Sequence, residues 1–184
     1  MLCAESPGSH KYTALLELAF NTNERPVRLI NTGFIDKSSD GVNWLRDSEL
    51  GQKMLASPSG YAAILVLGSN DCFGMQLDKS RANLESMLAS FSSKNIPVIV
   101  VGTTPYAVCQ GPNRPNYSAD YIQMFSDLAD QFGDLYYRDF KDGVIGHPDL
   151  LQGDGDHPNF KGEAIIAEKM LPVVTELVAR ATHS

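Results

Sequence analysis

Residues 151–163 read LQGDGDHPNFKGE, and two of them have the types and spacing of an acid–base pair. A carboxylate three residues before a histidine can fold back to accept the imidazole Nδ1 proton. That fixes the tautomer and leaves Nε2 pointing outward as a base. Asp154 and His157 have this spacing. The same stretch also reads as an ordinary loop in which Asn159 or Asp156 caps the closing helix. A second stretch, Gly68-Ser69-Asn70-Asp71, comes after the most apolar run in the chain. An asparagine N–H held at a strand end can bind the oxyanion of a tetrahedral intermediate, a donor typically worth roughly 3 kcal/mol. Its alternative is a turn in which Asn70 or Asp71 caps the next element of the chain.

Other chemistries find less in the sequence. Asp154 and Asp156 match the first and third ligand positions of a calcium loop, but the fifth is Pro158, which offers no side-chain oxygen, so no metal is expected. No Gly-x-Gly-x-x-Gly or Gly-x-x-x-x-Gly-Lys-Ser/Thr stretch comes after an apolar run, which argues against a phosphate or nucleotide site. The cysteines, at 3, 72 and 109, are too few for a disulfide framework and form no Cys-x-x-Cys pair. Cys72 and Cys109 each come after an expected strand and could share a rim of a sheet, but sequence alone does not pair them.

The elements that would position these residues emerge from periodicity. Tyr12 to Phe20 places apolar residues on one helical face. Val27 to Ile30 reads as a short strand ending at Asn31-Thr32-Gly33, and Val42 to Leu55 as a helix of interrupted period. Ala62 to Leu67 and Ile96 to Val101 are continuous apolar runs, as expected of strands covered on both faces. Asp78 to Phe91 carries Leu84, Met87, Leu88 and Phe91 on one stripe. Tyr117 to Phe132 is a further amphipathic helix and Leu135 to Tyr137 a last strand. A glycine-bearing loop then leads to a closing helix from about Lys161 to Arg180, where Pro172 is expected to introduce a kink or start a second helix.

Helices alternating with strands predict a mainly parallel sheet with helices on both faces, a flavodoxin-like three-layer α/β/α sandwich. Such a sheet gathers its reactive groups at the carboxyl ends of its strands. Here those ends are Asn31-Thr32-Gly33, Gly68-Ser69-Asn70-Asp71 and Gly102-Thr103-Thr104.

Whole-chain properties agree. With 184 residues, 43% hydrophobic and 20% charged, the chain fits one soluble domain, residues 1–184, with a core of its own. A formal charge of −7 with only 15 Lys plus Arg, none in a run, gives no electrostatic footprint for nucleic acid or an anionic membrane. The first residues lack a cationic start before an apolar run, and no segment reaches the roughly 18 apolar residues of a membrane span. The compartment stays unassigned.

Together the two blocks resemble those of the SGNH hydrolases, also called GDSL hydrolases, in particular their arylesterase, acyl thioesterase and lysophospholipase branch. That family carries a Gly-x-Asn-Asp block, here Gly68-Ser69-Asn70-Asp71, and a late Asp-x-x-His-Pro-Asn block, here Asp154-Gly155-Asp156-His157-Pro158-Asn159. The similarity runs from about Tyr12 to the closing helix. It implies that His157 is the general base, Asp154 its orienting partner and Asn70 a side-chain donor of the oxyanion hole, with no cofactor. It also implies a small-molecule ester or thioester substrate, with short or medium acyl esters and lysophospholipids as the candidates. The block after the second strand corresponds to Asn31-Thr32-Gly33-Phe34-Ile35-Asp36, so Asp36 stands where the family has the glycine whose N–H joins the hole. A backbone N–H survives that replacement, beside a carboxylate charge that opposes an oxyanion.

The nucleophile is the larger departure. The family opens with an apolar strand ending in Gly-Asp-Ser-Leu, whereas here only Met1-Leu2-Cys3-Ala4 precedes Glu5-Ser6 and no Gly-Asp-Ser occurs. Two alignments compete. In one, Ala4-Glu5-Ser6 is a degenerate block and Ser6 is the nucleophile. In the other, the block is deleted or truncated, and Ser6-Pro7-Gly8-Ser9 is the loop before the first helix. Pro7 disfavours the geometry of a nucleophile elbow at Ser6. Ser38 and Ser39 are reserve candidates that also suit loop or cap roles. The second alignment describes a non-catalytic domain of the same fold that only binds acyl ligands. In either, a shortened first strand near Leu2 to Ala4 leaves the middle of the sheet short of ladder hydrogen bonds, so the chain is expected either to recruit its neighbours to close the gap or to pair with a second copy as a homo-oligomer.

Overall fold

The computed structural model describes residues 11–21, 27–32, 37–74, 76–106, 109 and 116–182. Among the described residues, six α-helices and three strands run in the order α1 (Tyr12–Phe20), α2 (Ser38–Asp47), α3 (Glu49–Ala56), β1 (Ala63–Leu65), α4 (Leu77–Ser92), β2 (Val98–Val101), α5 (Tyr117–Phe132), β3 (Leu135–Tyr137) and α6 (Phe160–Thr182). The strands are parallel, in the order β1-β2-β3, with Ile64 opposite Ile99 and Val100 opposite Tyr136.

The fold is the expected three-layer α/β/α sandwich, and the alternation of strand side chains builds it. On one face, Leu65, Val98 and Val100 join Leu84, Leu88, Tyr121, Phe125 and Leu128 from α4 and α5, with Leu45 of α2 and Met54 of α3 in the same cluster. On the other, Ile99, Val101 and Leu135 meet Leu16 of α1 and Ile166, Met170 and Val174 of α6. All four residues of β2 are buried, which is why that segment reads as an unbroken apolar run.

Three expectations are corrected. Val27 to Ile30 is not a strand: the Leu29 N–H donates to Oε2 of Glu17 at 2.6 Å, while Val27 and Leu29 still pack against the α1/α6 core. Val42 to Leu55 is two helices. The chain turns extended at Ser48, whose Oγ accepts the Gly51 N–H at 2.9 Å and caps α3, and this accounts for the interrupted period. Of the two outcomes expected at Pro172, the second helix is overturned, because Phe160–Thr182 is a single element. The proposed first strand at Leu2 to Ala4 lies outside the described residues.

Candidate active site

The carboxyl ends of the strands form one rim. After β1 the chain leaves the sheet at Gly68, whose φ of +107° suits glycine. The Tyr121 hydroxyl donates to the Gly68 carbonyl, and the Asp71 N–H closes the turn onto the same oxygen at 2.8 Å. Burial, with the nearby Asp71 and Tyr117 oxygens, raises the Tyr121 phenol well above its ordinary value, so it stays a neutral donor. Asn70 begins a 3₁₀ turn over Asp71–Phe73 without capping it through its side chain. Asp71 is fully buried, and its Oδ1 accepts the Ser38 N–H at 2.9 Å, which fixes the start of α2 against the rim.

The late block is a braced loop. Asp154 Oδ1 accepts the backbone N–H groups of Asp156 and His157, each at 3.0 Å, and Oδ2 lies 2.6 Å from His157 Nδ1. These bonds hold the Asp154 carboxyl far below the usual carboxylate range. The Asp156 N–H is the largest contributor, then the His157 side chain and the His157 N–H. An ionised Asp154 accepting at Nδ1 leaves Nε2 of His157 as the basic nitrogen. The Gln152 N–H donates to the His157 carbonyl at 2.7 Å, closing the loop's neck.

The plain-loop alternative is present in the same residues. Asn159 Oδ1 accepts from Lys161 at 2.9 Å and Gly162 at 3.2 Å, capping α6, while its Nδ2 donates to the carbonyls of Asp149 and Leu151. Capping by Asn159 and orientation of His157 by Asp154 coexist, because they use different side chains.

An open cleft of about 400 Å³, its solvent-facing mouth included, lies at this rim, lined in part by Leu67, Ser69, Thr103, Tyr106, Lys141 and Asp156. One residue of each block, Ser69 and Asp156, lines this cleft, whereas Asn70, Asp154 and His157 are not among its lining residues. The rim is also stapled: Cys72 and Cys109 form a disulfide with Cα atoms 5.6 Å apart.

Ser6 and Asp36 lie outside the described residues. Of the reserve serines, Ser38 is fully buried, its Oγ accepting from Asn83 Nδ2 at 3.0 Å, and it does not face the cleft. Sequence reasoning weighed Asp156 only as a helix cap or calcium ligand and did not single out Lys141. The Tyr106 hydroxyl donates to Asp156 Oδ2 at 3.0 Å, and Lys141 Nζ lies 2.5 Å from Oδ1. No local spacing signals contacts spanning 50 and 15 residues.

No family model matches the chain. In sequence it is 27% identical over 176 residues to Esterase TesA of Pseudomonas aeruginosa, covering 92% of this chain and 81% of that protein. The crystal structure of TesA superposes with a TM-score of 0.77 at 23% identity, over 95% of this chain and 92% of that one. AlinE4, an SGNH-hydrolase family esterase, superposes with a TM-score of 0.66 at 24% identity, over 94% of this chain and 88% of that one. The chain shares its fold with TesA and with the SGNH-hydrolase esterase AlinE4.

Proposed function

We propose that this chain, with its SGNH hydrolase fold, is an ester hydrolase working through a Ser-His-Asp site. The observation that carries the reading is the Asp154–His157 pair, 2.6 Å apart, on the loop that borders the rim cleft. Similarity to proteins named as esterases supports the same class.

In this mechanism Ser6 Oγ attacks the acyl carbon while His157 Nε2 takes its proton. The carbonyl oxygen becomes an oxyanion bound by the Asn70 side chain and the Asp36 N–H. His157 then returns the proton to the departing alkoxide or thiolate as the acyl–oxygen or acyl–sulfur bond breaks. Water, activated by the same imidazole, hydrolyses the acyl-enzyme. Asp154 stays ionised throughout and stabilises the imidazolium. Short and medium acyl esters, thioesters and lysophospholipids are the substrate classes to examine.

One sequence fact favours a second reading. No Gly-Asp-Ser occurs, so a non-catalytic domain that binds acyl ligands is the competing hypothesis. Turnover of p-nitrophenyl acetate and butyrate by wild type, Ser6→Ala and His157→Ala separates the two. The hydrolase reading expects loss in both variants and fluorophosphonate labelling at one serine. Activity indifferent to His157→Ala ends the mechanism, and acyl-ligand binding without labelling of any serine supports the binding domain.

A further inference from the structure

We propose that Asp156 is the positioning residue of the catalytic loop: its carboxylate, held between the Tyr106 hydroxyl and the Lys141 ammonium, fixes the Asp154–His157 pair relative to the sheet. The inference rests on the reading of His157 as the base, and it adds three residues to that site.

The two partners come from different strand ends. Tyr106 lies beyond β2 and donates to Oδ2 at 3.0 Å, whereas Lys141 lies beyond β3 and reaches Oδ1 at 2.5 Å. Both carboxylate oxygens are therefore engaged from outside the loop, and a carboxylate held at two points cannot rotate away from either. The pair is partly shielded, with 17% of the Lys141 side chain and 28% of the Asp156 side chain exposed. That sets it apart from fully solvated ion pairs, which hold little.

The link from clamp to imidazole is continuous. The Asp156 N–H is bound by Asp154 Oδ1, and Asp154 Oδ2 meets His157 Nδ1. Gln152 and Asn159 brace the loop's shape through the His157, Pro158 and Leu151 carbonyls. Those bonds do not reach the ends of β2 and β3; the Asp156 side chain does. Tyr106 is itself backed by Phe73, with ring centroids 5.0 Å apart, so the clamp is anchored on the segment after β1 as well. A base displaced by about 1 Å from its reacting partner can lose on the order of 100-fold in rate.

The experiment uses the full chain with Asp156→Ala, Asp156→Asn and the double variant Tyr106→Phe/Lys141→Met, and it has two readouts. The first is the low-field proton resonance of the His157 Nδ1–H bond to Asp154, which needs no turnover. It is expected to broaden or disappear in Asp156→Ala and in the double variant, and to persist in Asp156→Asn, which keeps an oxygen acceptor. The second is p-nitrophenyl butyrate hydrolysis. There kcat should fall about 10- to 100-fold in Asp156→Ala with KM within about threefold, and Asp156→Asn should recover most of it.

A wild-type His157 resonance together with wild-type kcat in Asp156→Ala overturns the clamp. If Asp156→Ala does not fold, the double variant removes the same clamp from the other side and decides the question. A wild type without turnover would defeat the esterase reading, and the resonance would still decide the clamp.

Discussion

Glu163 accepts the Tyr12 N–H on Oε2 at 2.8 Å, joining the first turn of α6 to the first turn of α1 across 151 residues. Glu163 is 1% exposed, so this is a buried carboxylate whose bond to a helix amide offsets part of its desolvation. The desolvation is the larger effect: burial raises the Glu163 carboxyl above its ordinary value, against the opposing influence of the Tyr12 N–H and Lys11.

Glu163→Ala leaves the Tyr12 donor without its acceptor and opens a gap beside the α1/α6 core. We expect a loss of about 1–3 kcal/mol in urea unfolding. Glu163→Gln keeps an oxygen for that N–H without the buried charge, and it should be at least as stable as wild type near neutral pH. A Gln variant as damaged as the Ala variant would show that the charge itself is needed.

Asp134 supplies a pH test at the opposite end of the sheet. Burial raises its carboxyl from 3.8 to about 6, opposed by the Val98 N–H bond and by Arg180. Between those two values the folded protein keeps a proton that the unfolded chain has released. The associated stability is therefore fully present below the unfolded value and is lost as pH rises through about 6. Glu163 acts with the same sign. Asp134→Asn should flatten the fall in unfolding free energy over that window, by on the order of 1 kcal/mol once solvent screening of a partly exposed group is allowed for. A profile identical to wild type would show that this carboxyl does not titrate there.

The Cys72–Cys109 bridge closes a 37-residue separation and ties the turn that carries Asn70 to the segment after Tyr106. Cross-links over loops of this size typically contribute about 2–4 kcal/mol. Unfolding midpoints measured with and without dithiothreitol should differ accordingly, and the double Cys→Ser variant should match the reduced wild type and ignore the reductant.

Asp154→Asn tests orientation apart from charge. The asparagine can present an N–H to Nδ1 and select the wrong tautomer, so ester turnover should drop by about 10³- to 10⁴-fold. Because the Asp154 carboxyl is held far below the usual range, the acid limb of the wild-type pH profile should not contain its titration. A variant with near-normal turnover would remove Asp154 from the mechanism.

Much of the frame was legible before any coordinates. IPVIVV reads as a strand because β2 is covered on both faces, and Tyr117–Phe132 has the bounds its period suggests. VRLI has strand composition but pairs with no strand among the described residues, since composition reports burial and not the destination of an amide: the Leu29 N–H goes to Glu17. The break at Ser48 weakened the period of its segment without revealing that two helices meet there.

The candidate site divides along the same line. Asp154 and His157 are three residues apart, so their contact is decided within one loop and local spacing carries it. Side-chain alternation and helical period likewise determined the layers, because each element's apolar face is set by its own residues. The Tyr106–Asp156–Lys141 clamp, the Cys72–Cys109 bridge and the Ser38–Asp71 and Tyr12–Glu163 bonds were decided by the tertiary structure alone. Periodicity tells which side of an element faces inward, and only the packed sheet brings distant strand ends together.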